Sequence, residues 1–188
     1  MSDLVTWLKA QLDEDEAWAR ATCRPYPYAD EGATLPDGGV HWRWVAGDHR
    51  ETVVPDPVTM EFVEDSDRCW AVNLATVEKW PSTSRLDDGT VIRVRMMPRT
   101  YATEIVEMDP AAAGHIIRHD PARVLREVEA KRRLIDNVAA SRAWSESPEC
   151  PADQRLTYER LAQGMYDALR HLSGAYADRD GYREEWRP

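Results

Sequence analysis

The stretch from His115 to Val138, HIIRHDPARVLREVEAKRRLIDNV, decides how the chain is read. Asp120 can accept backbone N–H bonds as an N-cap, and Pro121 follows at the first helical position, where its missing donor is no loss and its fixed φ suits the helix. Val124, Leu125, Val128, Leu134, Ile135 and Val138 then recur at spacings of three and four, which gathers them on one face that must be buried. On the other face Glu127 precedes Lys131 and Glu129 precedes Arg133 by four residues, pairs worth about 0.2–0.5 kcal/mol each. Lys131, Arg132 and Arg133 also lie towards the negative end of the helix dipole. Upstream, Asp109-Pro110 repeats the cap signature and predicts a short helix over Ala111 to His119. The two helices must turn a corner at Asp120, because proline disfavours the α region for the residue before it.

Working outward, Leu4, Val5, Leu8 and Leu12 fit a first helix from about Asp3 to Ala21, with Trp7 on its flank and Trp18 continuing the stripe. The prolines and glycines of residues 23–39 read as a long loop. From Val40 the period changes to two: Val40, Trp42 and Trp44 alternate with His41, Arg43 and Val45, as a half-buried strand requires. Further strands are predicted over Glu51 to Val54, Val58 to Val63, Cys69 to Val77 (ending before Pro81), Thr90 to Met96 and Tyr101 to Val106, although TEIVEM also suits a helix. Asp87-Asp88-Gly89 is a turn signal between two of them. After the central helix, Ser145 to Asp153 is a linker. Asp153 caps a third helix carrying Leu156, Leu161, Met165, Leu169 and Leu172, and Tyr182 and Trp186 stand four apart in a tail suited to docking. The expectation is an α+β fold, a small mainly antiparallel sheet covered by an N-terminal helix and C-terminal helices. The 188 residues are read as one domain: helix over 1–22, loop 23–39, sheet region 40–107, helices 109–174 and docked tail 175–188.

A net charge of −10 argues against a non-specific binder of nucleic acid, whose phosphate contacts rest on clustered Lys and Arg. Two basic stripes, Arg93, Arg95 and Arg99 around Met96 and Met97, and Lys131 to Arg133, keep that class open as an alternative. The acidic run Asp13 to Glu16 could attract a basic partner, though charge runs on helices are usually solvated faces. Eight Trp beside one Phe make indoles the main aromatic packing unit, and buried indoles seek a partner for Nε1–H. Cys23, Cys69 and Cys150 are odd in number and far apart, which points to reduced thiols and a cytoplasmic setting. No apolar run is long enough to span a membrane, and the acidic residues near the start do not fit a signal peptide.

For chemistry, His115 and His119 stand four apart on the short helix and Asp120 follows directly, a candidate two-His-plus-carboxylate site for a divalent metal. Ile116 stands where the zinc-protease motif needs its acid, and the competing reading makes Asp120 the N-cap and the histidines a helix end. His41, Asp48 and His49 could join the cluster in space. Cys69, in an apolar strand, reads as core rather than nucleophile. Neither G-x-G-x-x-G nor a P-loop is present.

HIIRHDPARVLREVEAKRRLI, with the opening DLVTWLKAQLDEDE and the closing YADRDGYREEWRP, resembles an uncharacterised actinobacterial family, the domain of unknown function numbered 6221. The resemblance spans both ends and the centre of the chain. It implies a bacterial, cytoplasmic setting and brings no activity, cofactor or catalytic residue. It also implies several cysteines ahead of the closing segment, where Glu149-Cys150-Pro151 supplies one. The leading expectation is a non-catalytic protein-interaction or regulatory module, binding an unknown protein partner or itself and needing no cofactor. The alternatives are a hydrolase-like metal-dependent enzyme at His115, His119 and Asp120, and a nucleic-acid-binding protein.

Overall fold

A computed structural model of the chain describes residues 2–23, 34, 36, 38–46, 72–105 and 110–188. The predicted strands over Glu51 to Val54 and Val58 to Val63 lie outside these residues, as do Asp48, His49 and Cys69. In chain order the elements are α1 (Ser2–Thr22), β1 (Trp42–Ala46), β2 (Val72–Arg85), β3 (Val91–Ile105), α2 (Pro110–Arg118), α3 (Pro121–Glu146) and α4 (Ala152–Ser173). Two 3-10 turns, Gly174–Tyr176 and Glu184–Trp186, follow. The fold is α+β, with an antiparallel sheet ordered β1-β2-β3 among the described residues. The chain divides into two compact units, residues 1–17 with 126–188, and residues 18–125. Helices α1 and α3 contribute to both.

In the unit of residues 18–125, Trp42 to Ala46 of β1 pair with Thr76 to Val72 of β2, and β2 pairs with β3 from Val72 opposite Ile105 to Arg85 opposite Val91. Only the first five residues of β2 therefore have a neighbour on each side among the described strands. Beyond them the described strands form a two-stranded ribbon, and this explains a difference from the sequence reading. β2 runs straight through Pro81 to Arg85, and β3 is one strand across Pro98 rather than two. Proline has no ladder N–H to give, so it is tolerated on an edge. Pro81 sits in the part of β2 past the end of β1, and Pro98 sits on β3, which has one neighbour among the described strands. Where the register slips between Ala75 and Lys79, Thr76 Oγ1 accepts the Arg99 N–H at 3.0 Å and donates to the Glu78 carbonyl at 2.7 Å, so the irregularity leaves those backbone groups satisfied.

The indoles anchor this unit. Trp44, Leu74 and Ala113 form a buried cluster flanked by Trp42, Tyr101, Ile116 and Ile117, and Trp44 Nε1 donates to the Ala113 carbonyl at 3.1 Å. Helix α2 is thus fixed to the sheet by both packing and a hydrogen bond. A second cluster joins Cys23, Val40 and Trp80 with Trp42, and Trp80 Nε1 donates to Thr34 O at 3.1 Å. The Tyr101 hydroxyl donates to Thr22 O, which ties β3 to the end of α1. Gly39 has φ 83°. A Cβ there would come within 2.8 Å of Leu125 Cδ1 and 3.1 Å of the Ala122 backbone, so only glycine lets the chain pass this close to the start of α3.

The unit of residues 1–17 and 126–188 is helical. Leu4, Leu8, Leu12, Val128, Ile135, Val138, Ala162 and Leu169 are its buried apolar residues on the three helices. On α3 the buried face centres on Val128, Ile135 and Val138, while Leu125 and Leu134 are half-buried. Trp7, which periodicity puts on a flank of α1, is the hub of an aromatic clasp. Its ring lies 6.4 Å from Tyr176, 5.7 Å from Tyr182 and 5.1 Å from Trp186, centroid to centroid. Its Nε1 donates to Asp180 O at 3.0 Å. Gly181, at φ 80°, lies against the same indole: a Cβ there would meet Trp7 Nε1 at 3.2 Å.

Candidate functional site

The corner at His115 to Arg123 is built as local chemistry requires. Asp120 Oδ1 accepts the Arg123 N–H at 2.7 Å, and Val124 N donates to Asp120 O at 3.1 Å, so Asp120 is the N-cap of α3. It is buried. Arg123 folds back to donate from Nη1 to Arg118 O at 3.0 Å, closing the end of α2. Ala122 N donates to Val40 O at 3.1 Å, which seats the first turn of α3 beside the sheet.

His115 and His119 lie at the exposed end of α2. Their rings stand 4.0 Å apart, centroid to centroid, with planes 34° from parallel. His119 Nδ1 lies 2.8 Å from His115 O. A carbonyl only accepts, so Nδ1 carries the proton and donates, which leaves the lone pair of the neutral ring on Nε2. His41 is engaged elsewhere: its Nδ1 is 2.7 Å from Glu78 Oε1, and its backbone N–H donates to Glu78 Oε2 at 2.9 Å. Among the described residues no group of three or more His, Cys, Asp or Glu side chains is placed to hold a metal ion.

Cys23 and Cys150 are free and buried. Burial pushes the Cys23 thiol up, away from the thiolate a nucleophile needs. Burial also pushes up the Tyr101 hydroxyl.

The acidic run of α1 is met within its own unit. Arg132 binds both Asp13 and Glu16, and these carboxylates, Glu16 foremost, raise its already high pKa. Arg179 Nη2 donates to Asp15 at 2.6 Å, and its Nη1 lies 3.6 Å from Glu14. The Tyr176 hydroxyl donates to Asp15 Oδ2 at 2.9 Å while accepting from Lys131 Nζ at 2.9 Å, and burial raises its pKa. Arg133 pairs with Glu129. Arg132 is thus the link between the basic stripe and the acidic run, while Arg179 meets Glu14 and Asp15, and Arg133 and Lys131 turn to Glu129 and Tyr176. Neither reading from sequence found this, because Arg132 and Glu16 are 116 residues apart and Arg179 and Asp15 are 164 apart.

A different surface comes from the β2–β3 ribbon. Val77, Leu86, Val91 and Met96 are 48%, 51%, 48% and 53% exposed, and β3 is the sheet's outer strand among the described residues. Arg93, Arg95 and Arg99 of the other basic stripe fall on this strand. Its turn is well made: Gly89 N donates to Leu86 O at 2.8 Å, Leu86 N to Thr90 O at 2.9 Å and Thr90 N to Asp88 Oδ1 at 2.8 Å. Gly89 takes the left-handed φ of 85° that this hairpin turn requires. Alternation locates strands in a sequence. It cannot show how much of a strand lacks a second neighbour, and so it missed the ribbon's exposure.

Among the described residues no helix is long and apolar enough to cross a membrane. No curated protein and no solved structure matches the chain. A family model does, over residues 1–188, its whole length: the chain belongs to the family of unknown function DUF6221.

Proposed function

We propose that the chain is a non-catalytic protein-interaction module whose contact element is the β2–β3 ribbon. The observation that carries this reading is the half-exposure of Val77, Leu86, Val91 and Met96 along a hairpin that, among the described strands, has no third neighbour past Thr76. A two-stranded ribbon alone is marginal in water, and apolar residues left on it favour a partner that covers them. Among the described residues nothing pairs with the outer edge of β3, and such an edge offers backbone donors and acceptors to an added strand. β3 also carries Arg93, Arg95 and Arg99 against a single acid, Glu104, so the partner is an extended protein segment of acidic character.

A photo-crosslinking residue at Met96 or Leu86 of the full chain, expressed in its native host, tests this. The expected result is one shared adduct from both positions and none from Leu161, which is 49% exposed on α4. Purified, that partner should bind the parent chain and lose affinity for the Leu86→Ser, Met96→Ser double variant. Adducts identical to those from Leu161, or none from the ribbon, would refute the assignment.

A further inference from the structure

We propose that His115 and His119 form a two-imidazole site for an imidazole-preferring divalent cation of the zinc and copper class. The site is independent of the ribbon. Residues four apart on a helix share a face, and here the two rings are brought to 4.0 Å on the exposed end of α2. The second observation is the state of His119. Its Nδ1–H is held by the His115 carbonyl at 2.8 Å, an outer-sphere bond of the kind that fixes the tautomer and orientation of a metal-binding histidine. The ring is therefore presented with Nε2 as its free ligand atom. A third feature is the place. His115 and Arg118 belong to the last turn of α2, and the carbonyl end of a helix carries a partial negative charge that favours a cation.

Asp120 takes a supporting part. Its Oδ1 holds the first turn of α3 through the Arg123 N–H, which fixes the corner on which both histidines stand. Two protein nitrogens leave the remaining coordination positions to water, so the bound ion is exchangeable and open to a further ligand. Among first-row ions copper(II) should bind more tightly than zinc(II), following the usual order for nitrogen sites.

The test is titration of the full chain, purified without an affinity tag, with zinc chloride and separately with copper chloride, read by calorimetry. His119→Asn is the deciding variant, because an amide can keep the donor to His115 O while removing Nε2. His115→Ala complements it, and His171→Ala, His41→Ala and Cys69→Ser are controls. The expected result is about one equivalent of metal in the parent and the controls, weakened at least about tenfold in His119→Asn and His115→Ala, the scale on which even outer-sphere changes act. Electron paramagnetic resonance of the copper form should count two imidazole nitrogens in the parent and one in His119→Asn, a readout that a merely structural role for the histidine would leave unchanged. No uptake by the parent, or a His119→Asn variant that titrates like it, would overturn the proposal.

Discussion

The Trp7 clasp and the β2–β3 ribbon handle apolar side chains in opposite ways. In the clasp one indole collects Tyr176, Tyr182 and Trp186, and its own N–H is answered by Asp180 O. The charges around it are answered too, with Arg179 on Asp15 and Arg183 on Asp3 at 3.1 Å. In the ribbon, four apolar residues remain about half in water. The difference separates aromatic residues covered within their own unit from apolar residues that stay about half exposed. Stability should therefore concentrate in the first region and association in the second.

The largest expected effect tests the first half of that contrast. Trp186 is 6% exposed, and a truncated buried tryptophan leaves a cavity, so Trp186→Ala should cost about 3–5 kcal/mol. For a chain of this size each kcal/mol lowers the melting temperature by about 2–4 °C, which calorimetry resolves easily. A melting temperature within a degree of the parent would mean that the clasp closes without contributing to stability, and the contrast would lose its basis.

Next comes the corner that both histidines share. Asp120→Ala removes the side-chain acceptor of the Arg123 N–H and should cost about 0.5–2 kcal/mol, as lost N-caps do. Asp120→Asn keeps an oxygen acceptor and should recover most of that loss in the same denaturation series. Equal damage from both variants would show that the carboxylate charge, not the cap, holds the corner.

What was legible in the sequence follows the range of the interactions. Asp120-Pro121, the apolar spacing of α3 and Asp87-Asp88-Gly89 are local signals, and the elements they mark are present in the structure. A strand ending before Pro81, and two strands over Thr90 to Met96 and Tyr101 to Val106, are the expectations that the continuous β2 and β3 replace, because whether a neighbouring strand needs an N–H at a given position is a non-local fact. Likewise the LDEDE run carries no local sign of Arg132 and Arg179, which reach it from more than a hundred residues away. Spacing alone put His115 and His119 together. It could not reveal that a carbonyl fixes the His119 tautomer, because that depends on the ring's rotamer at the helix end.

The second half of the contrast predicts small numbers. Met96→Ser or Leu86→Ser, at positions about half exposed, should change the stability of the isolated chain by no more than about 0.5 kcal/mol in either direction. Either substitution should still weaken binding of the ribbon's partner. If Met96→Ser proved as destabilising as Trp186→Ala, the ribbon would be part of the core and its exposure would say nothing about association.

The smallest effect concerns the ribbon's turn, where a single carboxylate organises the tip. Hydrogen bonds from the Thr90 backbone N–H and then its hydroxyl hold the Asp88 carboxyl below the usual carboxylate range. A carboxyl whose pKa is lower in the folded chain than in the unfolded one stabilises the fold above the unfolded value, and that contribution fades as the pH falls through the folded value. Asp88 is fully exposed, so the consequence is local order rather than global stability. Protection of the Thr90 amide, its exchange taken relative to the intrinsic rate at each pH, should fall as the solution is acidified through the Asp88 titration, and Asp88→Ala should show the low protection at neutral pH already. Protection at Gly89, whose N–H is held by Leu86 O instead, should respond less. If both amides answered acid alike and the alanine variant matched the parent, the turn would be held by its backbone geometry alone. The tip would then present Leu86 and Val91 to a partner in the same arrangement at any pH.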